Sequence, residues 1–248
     1  MFIANLEFLT ESLYDDIEEW IKNLVHNMHH QGRIVHLRNN IYKQDKCIVL
    51  QCKIPESDSI SAISENRWAK KLGNKEVEIR VKCLGKALDS PNLCCCRQTE
   101  FYILLGSEDI PLLCGSCGDV VPLYRIPPTY EPDPSFYDVD CWNKENLAWS
   151  DIEFYSYHEA IAQKELSDLG SRLNKKALEL RSKIENYSGK DCYYFLEELR
   201  ETVSFETAKK CPGCGGEWLL KQPLLEYYDF KCDHCKILSR LLPSIERA

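Results

Sequence analysis

The alternation of apolar and polar residues at the start of the chain predicts a strand followed by a helix. Residues 2–9 alternate with the period of two that a half-buried strand shows. Apolar residues then recur every three or four positions, as on one face of a helix, at Leu13, Ile17, Trp20, Ile21, Leu24, Val25 and Met28. Thr10 is placed to cap this helix and Gly32 to end it.

The next stretch predicts two strands, a short helix and a further strand. Residues 33–38 and 46–54 are rich in apolar residues, with Asn39-Asn40 as the turn between them. Residues 58–72 favour a helix, and residues 75–83 alternate as a fourth strand. The resulting order, βαββαβ, is that of a ferredoxin-like unit. That scaffold serves many functions and therefore indicates none by itself.

The second half of the chain predicts one long amphipathic helix between smaller elements. Short strands are expected at Phe101–Leu105 and Val120–Tyr124, and prolines between 127 and 134 predict a stiff connector. Residues 158–187 carry apolar side chains at helical steps up to Gly189. A strand at Asp191–Leu196 follows.

These patterns predict an α+β protein with four segments. Residues 1–88 form an N-terminal α+β domain, and residues 89–130 hold a first zinc knuckle. Residues 131–204 contain an acidic aromatic connector and the long helix, and residues 205–248 form a C-terminal zinc ribbon.

Composition narrows the class of protein. The chain has 248 residues, 44% of them hydrophobic, a formal net charge of −8 and 14 cysteines. An acidic balance disfavours a general nucleic-acid binder, because such affinity comes largely from Lys and Arg at phosphates. No secretory signal or spanning apolar stretch is evident at the sequence level, so we expect no membrane association. The density of thiols favours metal binding in a reducing cytoplasm over disulfides.

The clearest chemical motif lies near the C-terminus. Cys211 and Cys214 form one Cys-x-x-Cys pair, and Cys232 and Cys235 form another after seventeen intervening residues. This spacing is typical of a zinc ribbon, in which four thiolates surround one structural zinc. Strands at Glu217–Leu220 and Tyr227–Phe230, separated by Gln222-Pro223, are expected between the pairs. The alternative is a thioredoxin-like redox pair with a second pair by chance.

A second group of cysteines repeats this arrangement. Cys114 and Cys117 follow the triplet Cys94-Cys95-Cys96, and seventeen residues again separate the two halves. Adjacent residues of an extended chain point in opposite directions, so Cys94 and Cys96 are the better pair within the triplet. The sequence thus predicts a second zinc ion, and a metal-free structural or redox cluster is the alternative.

The remaining cysteines and histidines have simpler interpretations. Cys47, Cys52 and Cys83 fall within predicted strands and are expected to be small buried apolar residues. His26 and His30 lie four apart and could share a metal, but a solvated helix end with His29 beside them is the favoured interpretation. No metalloprotease motif, phosphate loop or nucleophile elbow occurs in the sequence, and four thiolates close a zinc site to substrate. We therefore expect a protein that is not an enzyme.

Acidic and aromatic residues alternate after the prolines. Seven acids and one lysine lie between Glu131 and Glu153. One interpretation is an aromatic anchor that fixes the connector to the core. The other is a surface that binds a basic protein, with aromatic anchors and acids that steer the partner. The residues of that surface would be Asp133, Asp138, Asp140, Trp142 and Trp149.

Several motifs resemble a known family. They are Cys114-Gly-Ser-Cys117, Val121–Pro127, Tyr193–Leu196, Cys211–Trp218 and Asp229–Cys235. Over roughly residues 90–240 the chain resembles a bacterial family of uncharacterised zinc-ribbon-containing proteins with a suggested role in nucleic-acid binding. The resemblance implies six of the cysteines as ligands: Cys114, Cys117, Cys211, Cys214, Cys232 and Cys235.

Two functions follow from these observations. The first is an acidic zinc-binding interaction protein whose partner is another protein, such as a basic toxin held by its inhibitor or immunity protein. The alternative is a zinc-ribbon protein that binds nucleic acid or its machinery. In that case bases would stack on Trp218 and Tyr227, and Lys221 and Lys231 would contact phosphates.

Overall fold

The protein is described by a computed structural model that covers residues 1–10, 15–35, 40–88, 90–131, 134–197 and 210–241. The chain is mixed α+β and divides into two compact units. Unit 1 contains Met1–Leu93 and Pro122–Tyr137, and unit 2 contains Cys94–Val121 and Asp138–Ala248. The predicted segment 89–130 contributes residues to both units, and the four-segment division stays a prediction.

Unit 1 is built around an antiparallel sheet. Its described elements are β1 (Phe2–Leu9), α1 (Asp15–His30), β2 (Asn40–Gln44), β3 (Cys47–Ile54), α2 (Arg67–Gly73) and β4 (Glu78–Lys86). The strands lie in the order β2-β3-β1-β4, and each neighbouring pair is antiparallel. Ala4, Leu6 and Phe8 point from β1 into a core shared with the apolar faces of α1 and α2. This confirms the two periodicities in the sequence, a period of two for β1 and of 3.6 for α1.

Several predicted boundaries in unit 1 were wrong, among them that of the fourth strand, which spans Glu78–Lys86. Residues 33–35, which were expected to begin the second strand, are not in a strand, and β2 begins at Asn40. The rest of the predicted strand and the predicted turn residue Asn39 lie outside the described residues, as does Leu13 of the predicted helix face. The turn before β3 instead lies at Asp45, whose φ of 53° suits an Asp side chain. The predicted helix 58–72 is split, because Asn66 is extended and caps α2 by accepting a hydrogen bond from the Trp68 amide at 2.9 Å.

Unit 2 contains a second sheet. Its described elements are β5 (Tyr102–Leu104), β6 (Leu112–Cys114), α3 (Tyr137–Tyr155), α4 (Glu159–Ser167), α5 (Arg172–Ser188), β7 (Cys192–Phe195), β8 (Leu219–Leu224), β9 (Tyr228–Cys232) and β10 (Ile237–Ser239). These strands take the order β6-β5-β7-β10-β9-β8. β7 pairs in parallel with both β5 and β10 and so joins the antiparallel pair β5 and β6 to the three antiparallel strands β8, β9 and β10 in one sheet.

The helices of unit 2 differ from the prediction in two ways. The acidic stretch expected to be a connector is largely helix α3. The helix expected over 158–187 is broken into α4 and α5, because Ser171 is extended and caps α5 by accepting from the Asn174 amide at 3.1 Å. Both α3 and α5 reach β7: the Tyr194 hydroxyl donates to Asn174 at 2.5 Å, and its ring lies edge-on to Trp142.

The C-terminal hairpin turns later than the sequence predicts. Gln222-Pro223, expected to separate two strands, lies inside β8. A proline is tolerated there because β8 is at the edge of the sheet and its pairing with β9 is irregular between Leu219 and Leu224. The turn itself is Leu225-Glu226, with φ of 53° and 59°.

Candidate metal centres

The structure brings Cys211, Cys214, Cys232 and Cys235 together, as the sequence predicts. Their sulfur atoms all lie within 4.8 Å of one another, and the Cys214 and Cys232 sulfurs are 3.7 Å apart. Four sulfurs placed about 2.3 Å from a central zinc would be separated by about 3.8 Å along each tetrahedral edge. The group therefore has the donor set and spacing to hold a metal ion.

Tight backbone turns aim these sulfurs inward. The Cys211 amide donates to the Gly216 carbonyl at 2.7 Å, and the Gly215 amide donates to the Cys211 carbonyl at 2.8 Å. Gly215 has a φ of +70°, which an L side chain disfavours. A Cβ at Gly213 would lie 2.7 Å from the Cys235 sulfur. The glycines that follow the first cysteine are thus required by the site itself.

The first tetrad consists of Cys94, Cys96, Cys114 and Cys117, and its sulfurs also lie within 4.8 Å of one another. Cys95 of the triplet is exposed instead, as the alternation of an extended chain requires. Two further backbone bonds hold this site: the Gly118 amide donates to the Cys114 carbonyl and the Cys94 amide to the Val120 carbonyl, both at 2.8 Å.

Hydrogen bonds prepare one thiol of each tetrad to be a thiolate. Burial raises the pKa of Cys114, but hydrogen bonds from the Thr99 hydroxyl and the Ser116 and Cys117 amides outweigh it and bring the pKa to about 6. The pKa of Cys214 is lowered by the Gly216 amide and by Cys232. Metal ligation requires the thiolate form, which these hydrogen bonds favour at Cys114 and Cys214. Burial raises the pKa of the other ligands Cys94, Cys117, Cys211 and Cys235. Sequence reasoning missed Thr99, because a lone threonine carries no recognisable signal.

Both tetrads belong to the same sheet. Cys114 ends β6 at one edge, and Cys232 ends β9 in the C-terminal hairpin. A Cβ at Gly118 would lie 3.6 Å from Leu225 at the tip of that hairpin. The two tetrads therefore belong to one structural unit, although they form separate motifs in the sequence.

The other cysteines and histidines that the sequence analysis considered lie outside the two tetrads. Cys52 is buried as expected, but Cys83 is exposed because β4 is an edge strand, which corrects that prediction. The His26 Nδ1–H donates to the Lys22 carbonyl at 2.8 Å within its own helix. This contact favours the solvated helix end over a shared metal at His26.

The described residues that were predicted to bind a protein do not form one exposed surface. Trp142 is 1% exposed against Tyr194, and Asp138 is buried with a salt bridge to Lys183 at 2.7 Å. These two residues hold α3 in place, and their burial contradicts the prediction that they bind a partner. Asp140 pairs with Lys144 at 2.8 Å, Trp149 is half-buried, and Asp133 lies outside the described residues.

Of the residues predicted to contact nucleic acid, some are buried or paired within the protein and others are exposed. Trp218 is 2% exposed and stacked on Phe230 at 4.9 Å, so it cannot present a face to a base. Lys231 pairs with Asp233 at 2.7 Å and lies over the Tyr193 ring. Tyr227 and Lys221 keep exposed side chains, with Arg240 over the Tyr227 ring.

Comparison with known proteins supports no named activity. Residues 96–197 match a family model described as "Domain of unknown function (DUF2310)", and residues 200–244 match one described as "Domain of unknown function (DUF8594)". Two curated relatives from Haemophilus influenzae, each described as "Uncharacterized protein", are 36% identical over 78 residues. That match covers 31% of this chain and only 38% and 30% of the relatives' lengths.

The boundary between the two family models lies between the tetrads. The first model begins at Cys96 and includes Cys114 and Cys117, and the second includes all four cysteines of the C-terminal group. Within the described ranges, no helix has both the length and the apolar content to cross a bilayer.

Proposed function

We propose that this chain is a non-catalytic interaction protein whose acidic second unit is held together by two structural zinc ions and binds a basic protein. The observation that carries this proposal is the distribution of charge. Unit 1 contains 14 Lys or Arg and 15 Asp or Glu, whereas unit 2 contains 17 and 24, a net −7 of the total −8. The unit that contains both tetrads thus also carries almost all of the charge.

Bound zinc makes this unit more acidic. Each Zn²⁺ with four thiolates has a formal charge of −2, so two sites would take unit 2 from −7 to −11. A field of this sign speeds association with a cationic partner and repels polyanions. A basic toxin held by its inhibitor or immunity protein is the concrete case we propose.

Zinc is the metal we propose because four sulfurs in tetrahedral spacing select zinc or an iron–sulfur cluster. Four thiolates leave no open position for water or substrate, which supports a structural and not a catalytic role. The resemblance to zinc-ribbon proteins supports the same proposal. We also propose that unit 1 is ferredoxin-like, since its element order and its β2-β3-β1-β4 strand order fit that arrangement.

Elemental analysis of protein purified without added metal tests the cofactor. We expect two zinc atoms per chain, falling to one in each of the variants Cys114→Ser and Cys214→Ser. Cys83→Ser, which changes an exposed cysteine of β4, is the matched control and should retain both. Iron in place of zinc, or a ratio near zero in the parent protein, would contradict the proposal.

The partner is tested by native purification from the producing cells and by salt titration. We expect a basic protein to co-purify in stoichiometric amounts and its association rate to fall as salt increases. Single-stranded RNA should bind only at about 10 µM or more near physiological salt, as is usual for non-specific contacts. Sub-micromolar RNA binding that depends on Lys221 and Tyr227 would favour the nucleic-acid alternative instead.

A further inference from the structure

The junction between α3 and α4 exposes a cluster of large apolar side chains. Phe154 is 77% exposed, Tyr155 88%, Tyr157 106% and Ile161 57%. These four residues, which we call the junction patch, lie within eight positions of the sequence. The Phe154 and Tyr155 rings are 6.4 Å apart. Single exposed apolar residues are ordinary, but several large ones in one short segment mark a candidate interaction site.

The exposure belongs to an ordered turn. The Ser156 hydroxyl donates to the Ile152 carbonyl at 2.7 Å and accepts from the His158 amide at 3.0 Å. The Ile161 amide then donates to the His158 carbonyl at 3.0 Å and starts α4. Ala162 and Leu166 of α4 are buried, which leaves the neighbouring Ile161 on the outer side.

The surroundings of the patch are acidic. Asp151, Glu153 and Glu159 lie in the same stretch, where the sequence from Glu145 to Ala162 contains no Lys or Arg. The carboxyl-terminal end of α3, at Tyr155, adds the negative end of a helix dipole. This local charge has the same sign as the net −7 of unit 2.

We infer that the junction patch is the docking site for a cationic amphipathic segment of the partner protein, with apolar side chains on one face and Lys or Arg beside them. The inference rests on the proposed function and gives it a location. Aromatic side chains would supply the buried anchors, and the acids would fix the orientation of the partner's cations. A second copy of this chain would place acids against acids, and anionic lipids or nucleic acid would be repelled in the same way.

The probe for this site is a fluorescein-labelled helical peptide of fourteen residues with a Leu face and a Lys face. Two matched peptides carry Glu in place of Lys, or Ser in place of Leu. Anisotropy with the full metal-loaded chain should show binding of the Lys–Leu peptide, weakened by salt, and at least about tenfold weaker binding of either matched peptide.

The variant Phe154→Ser/Tyr155→Ser/Tyr157→Ser should lose at least about tenfold in affinity for the Lys–Leu peptide. Tyr187→Ser, which removes a 49% exposed tyrosine from α5, is the control and should bind as the parent does. If the triple variant changes the thermal midpoint, Tyr157→Ser alone tests the site, because Tyr157 lies outside both helices and is fully exposed.

Other outcomes separate the two proposals. Equal binding by the parent and the triple variant would overturn the junction patch while leaving an acidic interaction protein in place. Equal binding of the Lys and Glu peptides, or a concentration-dependent dimer that the triple variant abolishes, would overturn the cationic occupant. Absence of any basic partner in native purification would instead count against the proposed function.

Discussion

Burial assigns different roles to residues that look alike in the sequence. Trp142 and Phe154 lie on the same helix among the same acids, yet Trp142 is 1% exposed and Phe154 is 77% exposed. Asp138 and Asp151 differ in the same way, since Asp138 is buried beside Lys183 and Asp151 is exposed. A substitution at the buried member of each pair should therefore change stability, and one at the exposed member should change binding.

Trp142→Ala should lower the free energy of unfolding by about 3–5 kcal/mol, the usual cost of truncating a large buried aromatic residue. Trp142→Phe should cost clearly less, because it keeps most of the ring and removes an indole N–H that has no partner among the described residues. Denaturant titration measures both, with half-buried Trp149→Ala as the control. A parent-like stability for Trp142→Ala would contradict its role in the core.

Glu56 should make stability depend on pH. Burial raises its pKa, but hydrogen bonds from Arg125, at 2.5 Å, and from Tyr124 outweigh this and lower the pKa below its ordinary value of 4.5. A lowered pKa gives stability that is present above pH 4.5 and is lost as pH falls through the folded-state value.

Glu56→Gln should therefore destabilise the protein by about 1 kcal/mol at pH 7, a modest value because the ion pair is partly open to solvent. The difference from the parent should shrink as the pH falls below 4.5. Denaturant titrations of both proteins at pH 7 and pH 3.5 measure it, and a difference that stays constant with pH would count against the ion pair.

Among the structural elements, the turn that follows Cys211 depends on a close approach between its backbone and a cysteine sulfur. Gly213 is the clearest example, because an added Cβ would lie 2.7 Å from the Cys235 sulfur. By contrast, Gly73 at the end of α2 has no atom within 4 Å of the same added position and no positive φ. These two glycines form a matched pair for substitution.

Gly213→Ala should weaken metal binding at the C-terminal tetrad, because the sulfur must move away from tetrahedral spacing. We expect faster release of one of two zinc ions to a colorimetric chelator. Gly73→Ala should release metal at the parent rate and raise the free energy of unfolding by about 0.4–1 kcal/mol through the unfolded chain. Identical release by both variants would show that the turn tolerates the Cβ.

For the whole molecule, the metal centres and the sheet of unit 2 depend on one another. β7 joins the hairpin that ends in Cys114 to the three antiparallel strands that include Cys232, and a Cβ at Gly118 would lie 3.6 Å from Leu225. Unit 1 has its own core, formed by β1, β3, α1 and α2. Loss of metal should therefore affect all of unit 2 and leave the core of unit 1 folded.

Removal of metal by a strong chelator should unfold the sheet of unit 2, since structural zinc contributes on the order of 10 kcal/mol even to small isolated fingers. Hydrogen exchange should show loss of protection in β5 and β7 as well as in β9, while β1 and β3 stay protected. Cys214→Ser should produce a weaker form of the same pattern. Loss of protection confined to residues 210–241 would contradict coupling through β7.

The sequence by itself determined the features that depend on local spacing. The two cysteine tetrads, the choice of Cys94 and Cys96 over Cys95, strand β1 and the buried face of α5 follow from fixed periods of turn, strand and helix, and the structure has them. The sequence did not predict that the helices are interrupted at Asn66 and Ser171. The apolar pattern of a helix continues through both positions, whereas the polar side chain at each position caps the start of a new helix.

Only the tertiary structure decided which side chains are available. The joining of both knuckles in one sheet depends on the parallel pairing of β7 with β5 and β10, which are far apart in the sequence. The burial of Asp138, Trp142 and Trp218 depends on elements packed from elsewhere in the chain, and the same packing leaves the junction patch exposed. The exposure of a side chain is set by its neighbours in space, and the pattern of residues along the chain does not specify those neighbours.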